Sequence, residues 1–203
     1  MARTALTRRG QIDIDRWVTF MRTELAWREG DLAAVVGYCR EVLTAFDSYQ
    51  AIWWEPLRAR IRGRLAMAVL AQGDEGRCRE LLAAALDAAA RWTEHPPLAA
   101  VLDACACYVL HLTGLARTVT TADNAATARP VITSDRAVLA ARLLGASHAV
   151  RGAFDESSLD APHARAAARE ALGPAAFDAA YRSVADSTYQ TALDLAHAAL
   201  AAT

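Results

Sequence analysis

Few residues in this chain have the types and spacing that chemistry demands. Four cysteines, Cys39, Cys78, Cys105 and Cys107, are scattered. The Cys105–Cys107 pair stands two residues apart, and on a helix such residues point about 200° apart, so the two thiolates do not converge on one metal. No second Cys or His pair completes the set, and these thiols read as small core side chains. The five histidines, His95, His111, His148, His163 and His197, stand in neither His-x-x-x-His nor His-Glu-x-x-His spacing. Asp155 and Glu156 adjoin Ser157 and Ser158 in a segment that reads as a solvated turn. No Gly-x-Ser-x-Gly elbow is present. A phosphate-binding Gly-x-x-x-x-Gly-Lys loop cannot exist, because all 22 basic residues are arginine. These observations imply a protein that is not an enzyme and that holds no metal or cofactor.

Two local features suit binding instead. Trp53 and Trp54 are adjacent, so they cannot both face one core from a helix. Either the pair packs into the interior or one indole anchors a partner. Arg58, Arg60, Arg62 and Arg64 follow. Arg58 and Arg62 share one helical face, as do Arg60 and Arg64. Each pair is either a solvated stripe or the lining of a groove that accepts carboxylates. Trp53, Trp54, Arg58 and Arg62 are the candidate partner-binding residues, and an acidic peptide is the partner chemistry they suit.

The elements that position these residues are helices. Leu32, Val35, Val36, Cys39, Leu43 and Phe46 recur at steps of three and four. So do Cys78, Leu81, Leu82, Ala85, Leu86 and Ala89, and likewise Leu57, Ile61, Leu65 and Ala68. No stretch alternates with period two, so the fold class is all-α. Gly30-Asp31 and Gly73-Asp74 each read as a tight helix-to-helix turn, with Gly ending one helix and Asp capping the next. Gly114 is expected to close a third apolar helix. His95-Pro96-Pro97 stops and restarts a helix. The polar stretch from Arg117 to Pro130 reads as a long loop ending near Ser134, a candidate cap. Helices are expected from Asp135 to Arg151, from Asp160 to Leu172, from Pro174 to about Ala185, and from about Thr188 to Leu200.

Residues 1–203 then read as a single helical-repeat domain. Hairpins span 12–50, 52–92 and an irregular 97–151 with the loop at 117–134, and helices at 160–201 follow. The glycine-punctuated, Ala-rich hairpins resemble tetratricopeptide repeats with longer helices. That resemblance implies an α-solenoid whose inner face is formed by the first helix of each pair.

Composition narrows the setting. The chain has 203 residues and 54% hydrophobic side chains, and its formal net charge is -1. A balanced charge gives no field for nucleic acid, so direct DNA binding by this chain alone is not expected. The apolar run from Leu98 to Leu112 is too short to cross a bilayer and contains Asp103 and His111. No signal-peptide pattern follows Met1. The expected location is cytoplasmic with free thiols. The absence of lysine fits the codon bias of a GC-rich genome.

One stretch carries a sharper signal. It reads Ala140-Ala141-Arg142-Leu143-Leu144-Gly145-Ala146-Ser147-His148, followed by Ala166-Ala167-Ala168-Arg169-Glu170-Ala171-Leu172-Gly173 and Ala176-Phe177-Asp178-Ala179-Ala180-Tyr181. Residues 135–200 resemble the C-terminal helical region of large actinobacterial transcriptional regulators, the antibiotic regulatory protein and large LuxR-type families. The Thr/Ala-rich insertion departs from that pattern, and no helix-turn-helix or nucleotide loop accompanies it. The resemblance implies a non-catalytic domain that binds a protein or peptide, or senses a signal, for a DNA-binding regulator. A stand-alone scaffold or oligomerisation module, such as a homodimer, is the alternative, and a small-molecule-binding helical domain is a third reading.

Overall fold

The computed structural model describes residues 2–47, 54–92, 95–112, 132–156 and 158–203. The fold is all-α, with no strand among the described residues. Nine helices are present there: α1 (Ala2–Glu29), α2 (Leu32–Asp47), α3 (Glu55–Ala71), α4 (Glu75–Ala90), α5 (His95–Val109), α6 (Ser134–Arg151), α7 (Ala161–Leu172), α8 (Pro174–Arg182) and α9 (Tyr189–Ala202).

The two Gly-Asp turns are built as their sequences dictate. Gly30 and Gly73 hold φ values of 77° and 89°, a region open to glycine because it has no Cβ. In the first turn, Gly30 N–H donates to the Trp27 carbonyl at 3.2 Å and Asp31 N–H to Ala26 at 2.9 Å. In the second, Gly73 N–H donates to Leu70 at 2.9 Å and Asp74 N–H to Val69 at 3.2 Å. This is the same Schellman pair of bonds twice. Each aspartate then caps the next helix. Asp31 accepts from Ala34 N–H and Asp74 from Arg77 N–H, both at 2.9 Å.

The third helix end differs from expectation. α5 closes with the same bond pair, His111 N–H to Tyr108 and Leu112 N–H to Cys107, both at 2.9 Å. The left-handed position falls on His111, with φ 53°, three residues before Gly114. The helix stops there because its Schellman bonds close there. The imidazole is held from two sides, by Glu75 Oε1 at 2.7 Å and by stacking on Tyr108. Gly114 and the 117–130 loop lie outside the described residues. Ser134 is the first residue of α6 and not its cap. Thr133, in extended conformation, holds the cap position. Thr188 caps α9 by accepting from Thr191 N–H.

Packing runs in chain order through α5 and then departs from it. α1 packs on α2, α2 on α3, α3 on α4 and α5, and α4 on α5. α6 joins α5 and carries α7 and α8. The last helix, α9, returns to lie against α4, α5 and α6. The cause is α5 itself. Every residue from Leu98 to Leu110 except Ala100 is buried, so this helix needs cover on all sides. α3, α4, α6, α7 and α9 supply it. The apolar run that was too short for a bilayer is thus the central helix of the core. No helix among the described residues is long and apolar enough to cross a membrane.

Candidate functional site

A cleft of about 290 Å³ opens between α1, α3, α5 and the segment that joins α6 to α7. Its walls carry four arginines, Arg28, Arg60, Arg64 and Arg151, and four acids, Glu24, Asp103, Asp155 and Asp160. Eight charged side chains thus gather at one place in an otherwise Ala- and Leu-rich protein.

The floor is a network around Arg64. Its side chain is 11% exposed. The guanidinium grips Glu24 of α1 with two bonds, Nε to Oε1 at 3.0 Å and Nη2 to Oε2 at 2.8 Å. Its third arm, Nη1, donates to Asp160 Oδ2 at 2.5 Å. The Trp27 indole lies under the guanidinium, 4.9 Å from it, and donates its own N–H to Asp160 Oδ1 at 3.2 Å. Burial by itself opposes the charge, but the Asp160 and Glu24 carboxylates outweigh it and hold the Arg64 pKa above its ordinary value. One α3 side chain therefore ties α1 to the start of α7. Beside it, Arg151 Nη2 donates to Asp103 Oδ2 at 2.8 Å. Burial pushes the Asp103 pKa up, against the opposing pull of Arg151 and a hydrogen bond from Ser147.

The segment before α7 is pinned as well. Ser158 Oγ accepts from the backbone N–H of Asp160 and Ala161, and Ser158 N–H donates to Asp155 Oδ1. Ser158 thus organises the turn that presents Asp160, while Glu156 stays exposed as expected of a solvated turn. Ser157 lies outside the described residues.

The mouth of the cleft has a different character. Arg60 is exposed and lays its guanidinium over the Phe20 ring, 4.9 Å from the centroid. Neither Arg60 nor the exposed Arg28 makes a hydrogen bond or ion pair with a described residue. The site therefore joins a closed ionic floor to two exposed arginines without a hydrogen-bonded partner among the described residues, and burial against Phe20 lowers the Arg60 pKa against the attraction of Glu24. Such an arrangement suits recognition of a carboxylate or another anion.

The sequence-derived candidates lie elsewhere. Trp53 is outside the described residues. Trp54 is 7% exposed and stacks on Phe46 at 5.1 Å, with Arg16 over its ring. Of the two readings for this indole, packing is the one the structure carries. Arg58 pairs with Glu55 at 2.6 Å and donates to the Phe46 carbonyl. Arg62, one turn further along α3, donates to the Ala84 carbonyl at 3.0 Å, in a groove of about 350 Å³ between α2 and α4. The two guanidinium groups expected to serve one partner are each bonded within the fold: Arg58 to the Phe46 carbonyl of α2, and Arg62 to the Ala84 carbonyl of α4. It is the second pair, Arg60 and Arg64, that faces the cleft.

The thiols lie in the core, and three of the imidazoles, His111, His148 and His163, have partners within the fold. All four cysteines are buried, and burial pushes Cys39 and Cys78 up to about 12. Cys105 and Cys107 are raised for the same reason. None is a thiolate at neutral pH. His148 Nδ1 meets the Tyr181 hydroxyl at 2.6 Å. Among the described residues, no group of three metal-ligating side chains gathers.

A further surface feature lies on α1, and helical period in the sequence marks it. Trp17, Val18, Met21 and Leu25 are 48%, 43%, 61% and 56% exposed on α1. Their spacing marks a second apolar face on that helix, distinct from the face of Phe20, Thr23, Ala26 and Trp27 that is buried.

Comparison with known proteins finds no matching family model, no similar curated protein and no similar solved structure.

Proposed function

We propose that this chain is a non-catalytic recognition domain of a transcriptional regulator, which binds a protein or peptide partner, or senses a signal, at the cleft between α1 and α3–α5. The observation that carries this reading is the Arg64 network. It links α1, α3 and the start of α7 across the cleft through bonds to Glu24 and Asp160. An occupant of the cleft touches all three elements at once. Binding there stabilises one arrangement of them, and attached domains are biased by that choice. The protonated thiols and the floor carboxylates paired with Arg64 and Arg151 favour binding over catalysis.

The regulator assignment rests on the resemblance carried by residues 135–200. A scaffold or oligomerisation module is the second reading, favoured by the exposed α1 stripe.

The test is deletion of the gene in its native host, complemented with the wild-type sequence or with Arg60→Glu. A changed transcript profile that wild type restores and Arg60→Glu does not supports the reading. Full restoration by Arg60→Glu moves recognition away from the cleft. An unchanged transcript profile on deletion overturns the regulator assignment.

A further inference from the structure

The α1 stripe and the cleft are one continuous surface. Trp17, Met21, Leu25 and Arg28 follow at steps of four, four and three, so they lie along a single helical face. Met21 and Arg28 belong to that face and also line the cleft. Three exposed apolar side chains spaced over about 12 Å of helix therefore lead to two guanidinium groups, Arg28 on α1 and Arg60 across on α3. Both residues are exposed and make no hydrogen bond with a described residue, and the Arg60 guanidinium lies over Phe20, where burial lowers its pKa against the attraction of Glu24.

An exposed stripe of this kind on a helix is the half-surface that an amphipathic helix completes. The charge at its border selects the partner. Carboxylates that flank the partner's apolar face meet Arg28 and Arg60. A basic partner meets Arg28 and Arg60 first, because Glu24, Asp160 and Asp103 are engaged by Arg64 and Arg151, and the remaining cleft acid, Asp155, accepts from Ser158 N–H and acts on Arg60 from within the cleft.

We infer that α1 and the mouth of the cleft form a docking surface for an acidic amphipathic helix supplied by a partner protein. Its apolar face covers Trp17, Met21 and Leu25, and its carboxylates pair with Arg28 and Arg60. This rests on the recognition reading above and specifies the partner's chemistry. It leaves Arg58 and Arg62, which fasten α3 to its neighbours, outside the surface.

The experiment uses the full chain and a fluorescein-labelled synthetic helix with leucines on one face and glutamates flanking them. Twin helices carry glutamine or lysine in place of every glutamate. Anisotropy titrations at low and physiological salt give the affinities. The expected result is saturable binding of the glutamate helix, with binding of the glutamine twin weaker by about ten-fold or more. Met21→Ser with Leu25→Ser should abolish binding. Arg28→Glu with Arg60→Glu should weaken the glutamate helix by about ten-fold and create binding of the lysine helix. Circular dichroism and melting curves confirm that each variant is folded, and Arg28→Gln with Arg60→Gln replaces the charge reversal if that variant is unstable.

Equal binding of the glutamate and glutamine helices overturns the acidic partner. Binding of neither helix, with sedimentation showing a dimer that Met21→Ser dissolves, makes the occupant a second copy and overturns the proposal. Binding of neither helix to a monomer removes the docking surface. In each of these cases the transcript experiment above judges the recognition reading separately.

Discussion

Replacing Gly145 with alanine probes a close approach between two helices, the most crowded among the described glycines. Gly145 sits in α6, inside the Leu143-Leu144-Gly145 run, and faces the end of α8. A Cβ built there would overlap the Tyr181 carbonyl oxygen, stand 2.7 Å from Val184 Cγ2 and 3.1 Å from the Tyr181 carbonyl carbon. The Val184 distance alone is about 1 Å inside the ordinary optimum for carbon contacts. The obstacle at Tyr181 is backbone, so no rotamer change relieves it and α8 must retreat as a unit. Overpacking of a closed interior costs roughly 1–3 kcal/mol and sometimes more, and a backbone clash belongs at the top of that range. Alanine returns about 1 kcal/mol through helix propensity. The net expectation is a loss of about 2 kcal/mol, or roughly 4–8 °C in melting temperature for a chain of this size. Gly37→Ala is the matched control, because a Cβ at that position in α2 meets nothing within 4 Å. That variant should gain up to about 1 kcal/mol. Urea unfolding of the two variants against wild type measures both terms. If Gly145→Ala proves as stable as Gly37→Ala, the α6–α8 approach is looser than described and the steric argument fails.

Other substitutions test the caps, the thiols and the buried acid. Asp31→Ala and Asp74→Ala should each destabilise by about 1 kcal/mol, read as a lower urea midpoint with an unchanged slope, whereas an unchanged midpoint for both would refute the capping role. The four buried cysteines should resist Ellman's reagent in the native protein and all react once it is unfolded; rapid native labelling would mean that the core opens at those sites. Asp103 has a folded pKa above its unfolded value, so its favourable contribution is complete below about pH 3.9 and is lost as pH rises through the folded pKa. The stability advantage of wild type over Asp103→Asn should therefore be largest in acid and shrink toward neutrality. An advantage that grows with pH would mean that the Arg151 ion pair outweighs burial.

What the sequence settled by itself is what short-range geometry controls. The Gly-Asp turns follow from glycine's access to positive φ and from the reach of an aspartate side chain to a backbone N–H three residues on. Helix identity follows from apolar steps of three and four, and the starts at Pro174 and after Thr188 from their local chemistry. The end of α5 was less legible, because His111 occupies a left-handed position that sequence reserves for glycine, and what holds it there, Glu75, comes from another helix. The arginines of α3 show the deeper limit. Helical period groups Arg58 with Arg62 and Arg60 with Arg64, and by period alone the two pairs are equivalent. Which pair faces a cleft depends on where α1, α2, α4 and α7 come to rest around α3. That placement is set by the burial demand of α5 and by contacts as remote in sequence as Arg64 with Asp160 and Tyr189 with Ala89. Periodicity states which side chains share a face, and only the packed neighbours determine what that face meets.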